Sequence, residues 1–202
     1  VTMTSQQQHT NGTDTNSRRI DQEKARRATR LLLEALGEDP DRDGLKDTWQ
    51  RRVPDAFETL TEGHSDVEKP EMRTFEADTP DAVIKTGLPV YSLCEHHLLP
   101  YHGVAHVAYR PDGDIVGLSK LARYVRWQSR RLTAQEGLTR DIAAGFSDEI
   151  GAEAVQVEIT ATHLCEAMRG IETATETTTQ ATVGELTENE QRRFRAAVTT
   201  HE

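Results

Sequence analysis

The chain holds only two cysteines, Cys94 and Cys165, only five lysines, at positions 24, 46, 69, 85 and 120, and aromatic residues at 5% of its 202 positions. So few cysteines exclude a disulfide scaffold. In a soluble intracellular chain such a pair serves metal binding or catalysis more often than a bridge. No run of about 18 apolar residues is present, and the N-terminus lacks the charged-then-apolar order of a secretory signal, so no membrane partner and a cytoplasmic location are expected. The basic side chains are mostly arginine and the acidic ones outnumber them 34 to 24, leaving a net charge of −10, which argues against a nucleic-acid partner. An acidic, lysine-poor surface suits a protein kept soluble in high salt.

What is present has the length of one domain with a polar tail. Residues 1–18 (VTMTSQQQHTNGTDTNSR) carry no apolar periodicity and read as a disordered tail, followed by an N-terminal helical region over 19–80 and a catalytic region over 81–202. Ala28, Leu31, Leu32 and Leu36 share one face of a helix predicted over Ile20 to Leu36, and a second helix is predicted over Thr48 to Leu60. AVIKTGLPVYSL reads as a strand entering the first cysteine motif. Gly103 to Tyr109 alternate in strand fashion, and Pro111-Asp112-Gly113 predicts a hairpin into Asp114 to Gly117. Ser119 has the placement of a helix N-cap, with Leu121, Tyr124, Val125, Gln128 and Leu132 following at helical spacing. A further helix is predicted from Gln135 to Ile150, ending at Gly151. In VQVEITATHLC, the residues Val155, Val157, Ile159, Ala161, His163 and Cys165 fall on one side of a strand, and the threonine-rich TATETTTQATVG suits a last strand before a terminal helix. The order predicts an α+β fold, two long helices packed on one face of an antiparallel sheet.

Both cysteines lie beside histidines: Cys94-Glu95-His96-His97 and His163-Leu164-Cys165. The C-x-x-H spacing lets Cys94 and His97 curl around one ion, and a distant strand can supply Cys165. Three protein ligands leave a fourth position for water, the pattern of a catalytic zinc; a fourth ligand, His96 or His163, would close the site and make it structural. His163 shares the predicted strand face with Cys165 at about 6.5–7 Å, close enough to serve as a general acid beside an activated water.

Two weaker signals accompany the metal motif. Gly117-Leu118-Ser119-Lys120-Leu121-Ala122-Arg123 gathers a hydroxyl, an ammonium and a guanidinium at a helix start, where free N–H groups favour an anion, although a capped helix with solvated charges has the same pattern. Arg169 can add a planar phosphate fork. Gln135-Glu136 opens the next helix, where a carboxylate can cap the helix or pair with the two N–H donors of a guanine edge.

Taken in order, YSLCEHHLLPYHG, GLSKLARYV, RRLTAQEGLT and ATHLCEAMRG, with LLLEALGEDPDRDGLKDT upstream, resemble GTP cyclohydrolase I over roughly residues 28–198. The resemblance implies that Cys94, His97 and Cys165 hold Zn2+ and that His96 and His163 are catalytic. It implies substrate contacts from Glu136, which would anchor guanine, from Gln135, and from Ser119, Lys120, Arg123 and Arg169 on ribose and triphosphate. It further implies the tunnelling fold (T-fold) and a homo-oligomer, a decamer of two pentamers with active sites between subunits. The implied reaction opens the imidazole ring of GTP with a zinc-activated water while His163 protonates N7, giving formate and 7,8-dihydroneopterin triphosphate, the entry to folate and other pterins.

The chain departs from the family pattern at three places. Glu166 follows the second cysteine where an apolar residue is usual, TWQRRV stands at Thr48 to Val53, and the loop after Gly170 is acidic and threonine-rich where a basic one is common. These changes bear on phosphate binding and leave the zinc and histidine motifs intact. Two other identities are compatible with parts of the pattern: the nitrile reductase of queuosine synthesis, which shares the fold but uses a lone reactive cysteine, and a binding module stapled by structural zinc.

Overall fold

The computed structural model describes residues 20–65, 69–76 and 81–201. The tail expected over 1–18, and the boundary drawn at residue 80, fall outside them. Helix α1 spans Gln22–Ala35, opened by the Asp21 carboxylate accepting the Lys24 N–H at 3.0 Å. It buries none of its residues: Leu31, Leu32 and Leu36, the apolar face expected of it, are 64%, 60% and 70% exposed. A π-helical turn, Thr48–Arg52, leads directly into α2, Val53–Leu60, so the second expected helix is continuous but has a widened first turn. Between α1 and α2 runs an apolar groove of about 510 Å³, whose lining includes Ala28, Leu32, Val53, Phe57, Leu98 and Leu132.

The main sheet comprises β2 (Val83–Cys94), β3 (Pro100–Arg110), β5 (Leu132–Thr133), β6 (Ala154–His163) and β7 (Glu176–Val183), in the order β5-β2-β3-β6-β7. All pairs are antiparallel except the two-residue β5, which runs parallel to β2 and places Cys94 opposite Thr133. One face presents Tyr101, Ala105, Val107 and Tyr109 of β3 beside Val155, Val157, Ile159 and Ala161 of β6. Helices α3 (Leu118–Ser129) and α4 (Gln135–Ile150) bury that face with Leu121, Tyr124, Val125, Leu138, Ile142 and Phe146. Each large side chain so buried stabilises the fold by about 1.5–3 kcal/mol. The expected α+β arrangement, with two long helices on one face, is therefore the observed one. A last helix, α6 (Glu188–His201), seats Phe194 and Val198 on Ala108 and Ala154, residues whose strand parity puts them on the opposite face.

Three local expectations are corrected. Strand β4 (Asp114–Val116) does not form a hairpin with β3 but pairs with β1 (Thr74–Glu76), about forty residues upstream. Its tie to β3 is a bond from the Val116 N–H to the Tyr109 hydroxyl at 3.0 Å. Ser119 is not the cap of α3: Gly117 occupies that position and its carbonyl accepts the Lys120 N–H at 2.8 Å, while Leu132 lies beyond the helix in β5. Strand β6 ends at His163, and Cys165 sits instead on a one-turn helix, α5 (Leu164–Ala167).

Candidate metal centre

The turn between β2 and β3 builds the first half of the site. Cys94 closes β2, with its N–H donating to the Leu99 carbonyl at 2.9 Å, and its own carbonyl accepts from His97 at 3.3 Å and Leu98 at 2.9 Å. These bonds fold Glu95, His96 and His97 back over Cys94. Leu98 completes the turn at φ 56°, a left-handed conformation that strains a residue with a Cβ by about 1–2 kcal/mol. The Cys94 side chain is buried in the main core, whereas His97 projects into solvent.

The second half arrives from the end of β6. Because α5 starts as β6 stops, Cys165 turns toward Cys94, and the ligand atoms of Cys94, His97 and Cys165 lie within 4.8 Å of one another. Among the described residues this is the one such group of metal-ligating side chains. Cys94 Sγ and His97 Nδ1 stand 3.7 Å apart, against about 3.5–3.8 Å between ligand atoms of a tetrahedral zinc with ordinary Zn–S and Zn–N bonds. Burial pushes the Cys165 thiol up, and the neighbouring Cys94 pushes it further; a cation between the two sulfurs reverses that effect by favouring thiolate. The Cys2His donor set fits zinc. His96 Nδ1 approaches Cys94 Sγ at 3.8 Å, but His96 does not belong to the mutually close group.

Behind the cysteines, the β3–β6 register sets Tyr101 against His163, and their rings stack with centroids 4.7 Å apart at 13°. His163 Nε2 meets Gln135 Oε1 at 2.7 Å. Burial holds the His163 pKa below its usual value, with the Glu136 and Glu166 carboxylates pulling the other way. Burial, with Cys94, Glu136 and Glu95 nearby, pushes the Tyr101 phenol up to about 12, which keeps it neutral. Tyr101 lies in the YSLCEHHLLPYHG stretch, yet its place under His163 depends on a strand register that spacing along the chain does not reveal.

Arg169 reaches the same end of the sheet, its guanidinium 3.4 Å from the Cys165 carbonyl. Glu166 is engaged locally, accepting from the Thr175 hydroxyl at 3.2 Å. Ser119, Lys120 and Arg123 are not part of this cluster. Lys120 and Arg123 line a separate cavity of about 280 Å³ on α3, with Glu62, Glu71, Arg126 and Trp127. The expected site residues thus form two groups: Cys94, His96, His97, Glu136, Gln135, His163, Cys165 and Arg169 around the ends of β2 and β6, and Ser119, Lys120 and Arg123 on the first turns of α3.

A protein-family model described as GTP cyclohydrolase I matches residues 25–200. The GTP cyclohydrolase 1 of Hyperthermus butylicus is 48% identical over 167 residues, 83% of this chain and 84% of that one. Its counterpart in Alkalilimnicola ehrlichii is 46% identical over 170 residues, covering 83% and 91%, and that of Corynebacterium aurimucosum 43% over 169 residues, covering 82% and 86%. Among solved structures, the apo archaeosine synthase QueF-like protein overlays 55% of this chain and all of its own at a TM-score of 0.44 and 18% identity, too loose a likeness to argue from.

Proposed function

The chain belongs to the GTP cyclohydrolase I family, and from that premise we propose that it hydrolyses GTP to 7,8-dihydroneopterin triphosphate and formate at the Cys94–His97–Cys165 centre. The observation that carries the assignment is a three-ligand Cys2His cluster beside a histidine that stands outside the ligand set, since His163 is bonded to Gln135 rather than gathered with the ligands. Zinc held there would supply Lewis acidity that lets water attack at neutral pH.

The remaining chemistry falls to the chain's own groups. His163 is the general acid for the purine N7, its ring held by Tyr101 on one side and by Gln135 at Nε2. Glu136, in the first turn of α4, pairs its carboxylate with the donor edge of guanine. Arg169 takes a phosphate oxygen in a planar fork. Lys120 and Arg123, with Ser119, supply further triphosphate contacts from α3. Their separation into another cavity fits a site completed between copies, and the unburied α1 face with its apolar groove offers surface for such an assembly. The expected assembly is a decamer of two pentamers. No helix among the described residues is long and apolar enough to cross a membrane, and a cytoplasmic enzyme at the entry to folate or other pterins is the corresponding biological setting.

One incubation tests the reading. The zinc-loaded protein with GTP releases formate and, after oxidation, gives pterin fluorescence. A nitrile reductase would instead oxidise NADPH against a nitrile, and a structural-zinc module would bind metal and turn over nothing; either result refutes the proposal. Native mass measurement on the same preparation checks the assembly.

A further inference from the structure

Gln135 opens α4 and is 1% exposed, yet it carries an amide with four hydrogen-bonding positions to satisfy. Its Nε2 lies 2.9 Å from the Ile159 carbonyl, 2.8 Å from the Thr177 carbonyl and 3.1 Å from the Thr179 hydroxyl. Backbone carbonyls only accept, so the NH2 end must face them; the flipped amide would set oxygen against oxygen. The hydroxyls agree with this orientation. Thr139 donates to the Gln135 backbone carbonyl at 2.7 Å, so in its 2.6 Å contact with Thr179 the latter is the donor, leaving Thr179 lone pairs for Gln135 Nε2.

With the amide fixed in this way, its oxygen faces His163 Nε2 at 2.7 Å. An amide oxygen cannot donate, so Nε2 carries the proton. We infer that Gln135 is a positioning residue, whose amide, clamped by β6 and β7, holds the His163 imidazole in the Nε2–H tautomer and leaves Nδ1 as the nitrogen that serves the substrate. The inference rests on the reading of His163 as general acid and deepens it. It also gives Gln135 a role other than the substrate contact that family resemblance implies, because both amide hydrogens are already shared among three acceptors. Tyr101, stacked on the ring at 4.7 Å, restricts its tilt while Gln135 restricts its rotation. Sheet and helix together therefore hold one ring in one orientation, and because Nε2–H is committed to Gln135, the proton the ring delivers as a general acid is one that Nδ1 has first taken up.

The test is a double-mutant cycle on the zinc-loaded enzyme, with Gln135→Met made in the native protein and in His163→Ala. In the native background, kcat for GTP should fall by about 10–100-fold, the usual penalty for losing a partner that orients a functional histidine. KM should stay within roughly threefold and zinc content should be unchanged. In the His163→Ala background the same change should cost nothing further in kcat, because the residue through which Gln135 acts is gone. A raised KM with kcat preserved would make Gln135 a substrate contact, and an equal loss in both backgrounds would make it independent of His163; either overturns the inference. If His163→Ala alone keeps full kcat, what fails is the general-acid reading itself, and the two failures are thus distinguishable. A measurement that needs no Gln135 variant covers the case in which Gln135→Met does not fold. The imidazole 15N spectrum of the native enzyme, with His163 identified by its disappearance in His163→Ala, should show a protonated Nε2 and an unprotonated Nδ1 for the neutral ring. The reverse pattern overturns the inference.

Discussion

Replacing His163 with alanine should separate metal binding from chemistry. The substitution deletes the 2.7 Å bond to Gln135 and the stacking contact with Tyr101 at 4.7 Å. A hydrogen bond of this kind contributes about 0.5–1.5 kcal/mol net and an aromatic stack about 0.5–1.5 kcal/mol, so stability should fall by about 1–3 kcal/mol. At about 2–4 °C per kcal/mol for a chain of this size, melting should drop by about 2–12 °C and the protein should stay folded. The three ligand atoms within 4.8 Å of one another are untouched, so zinc per chain should match the native enzyme. The rate should behave differently. Loss of a general acid is worth about 10²–10⁴-fold, or about 3–5 kcal/mol of barrier, more than the expected loss of stability. Zinc content, melting temperature and formate release measured on one preparation decide the matter. Parallel loss of metal and stability would identify His163 as the fourth ligand of a closed structural site, and an unchanged rate would remove it from the chemistry.

Cys165→Ser should purify with little zinc and release no formate, since one of three ligands is gone; near-stoichiometric zinc by atomic absorption would remove Cys165 from the site. Glu136→Gln should lose most of its kcat/KM for GTP while keeping zinc, because an amide presents a donor where guanine also presents one; unchanged kinetics would leave Glu136 a helix-start carboxylate. Burial pushes the Glu190 carboxyl up, but the Thr187 N–H and hydroxyl, with Arg110 at 2.7 Å, outweigh it and hold the carboxyl below its ordinary 4.5. The folded form therefore keeps Glu190 ionised where the unfolded chain protonates it. Its contribution is present above pH 4.5 and lost as pH falls through the lower folded value, so Glu190→Gln should flatten the acid limb of the melting curve, and a limb parallel to the native one would refute the assignment.

Much of this is legible along the chain where local periodicity and caps agree. Helix α4 matches its expected span, Gln135–Ile150, because Leu138, Ile142 and Phe146 recur four apart on the buried face and Gly151 ends the helix at φ 63°. Cys94 and His97 stand out as candidate ligands because both come from one turn. What escapes is non-local or junctional. The partner of β4 is a three-residue strand about forty positions upstream, and neither strand is long enough to announce a pairing. Alternation through His163 continues smoothly into Cys165 and so suggests a strand face for both, whereas the chain turns into α5 at Leu164, one residue before the cysteine. The bond between His163 and Gln135 spans 28 positions and two elements, so no spacing rule contains it.

The unequal burial of the three candidate ligands bears on what should happen when metal is withdrawn. Cys94 is 6% exposed and belongs to the main core, held by β2–β3 pairing at Leu93–Pro100 and by the two-residue β5 alongside. Its position is set by the sheet, not by an ion. His97 is exposed, and the described contacts that keep it near the sulfur are a 3.3 Å bond from its N–H to the Cys94 carbonyl and its 3.7 Å approach to Cys94 Sγ. The adjacent Leu98 opposes that arrangement with about 1–2 kcal/mol of left-handed strain. Zinc that joins Cys94, His97 and Cys165 would stabilise the strained turn, so chelation should release the turn first. Hydrogen exchange in the chelated protein should rise at the amides of His97 and Leu98, which the Cys94 carbonyl holds, while those of Val90, Val107 and Val157, fully buried in the sheet, should keep their protection. Restoring zinc should restore both the protection and formate release. Exchange that rises together over β2, β3 and β6 would mean instead that the metal holds the sheet itself together, and a catalytic assignment for the three-ligand site would then have to be abandoned.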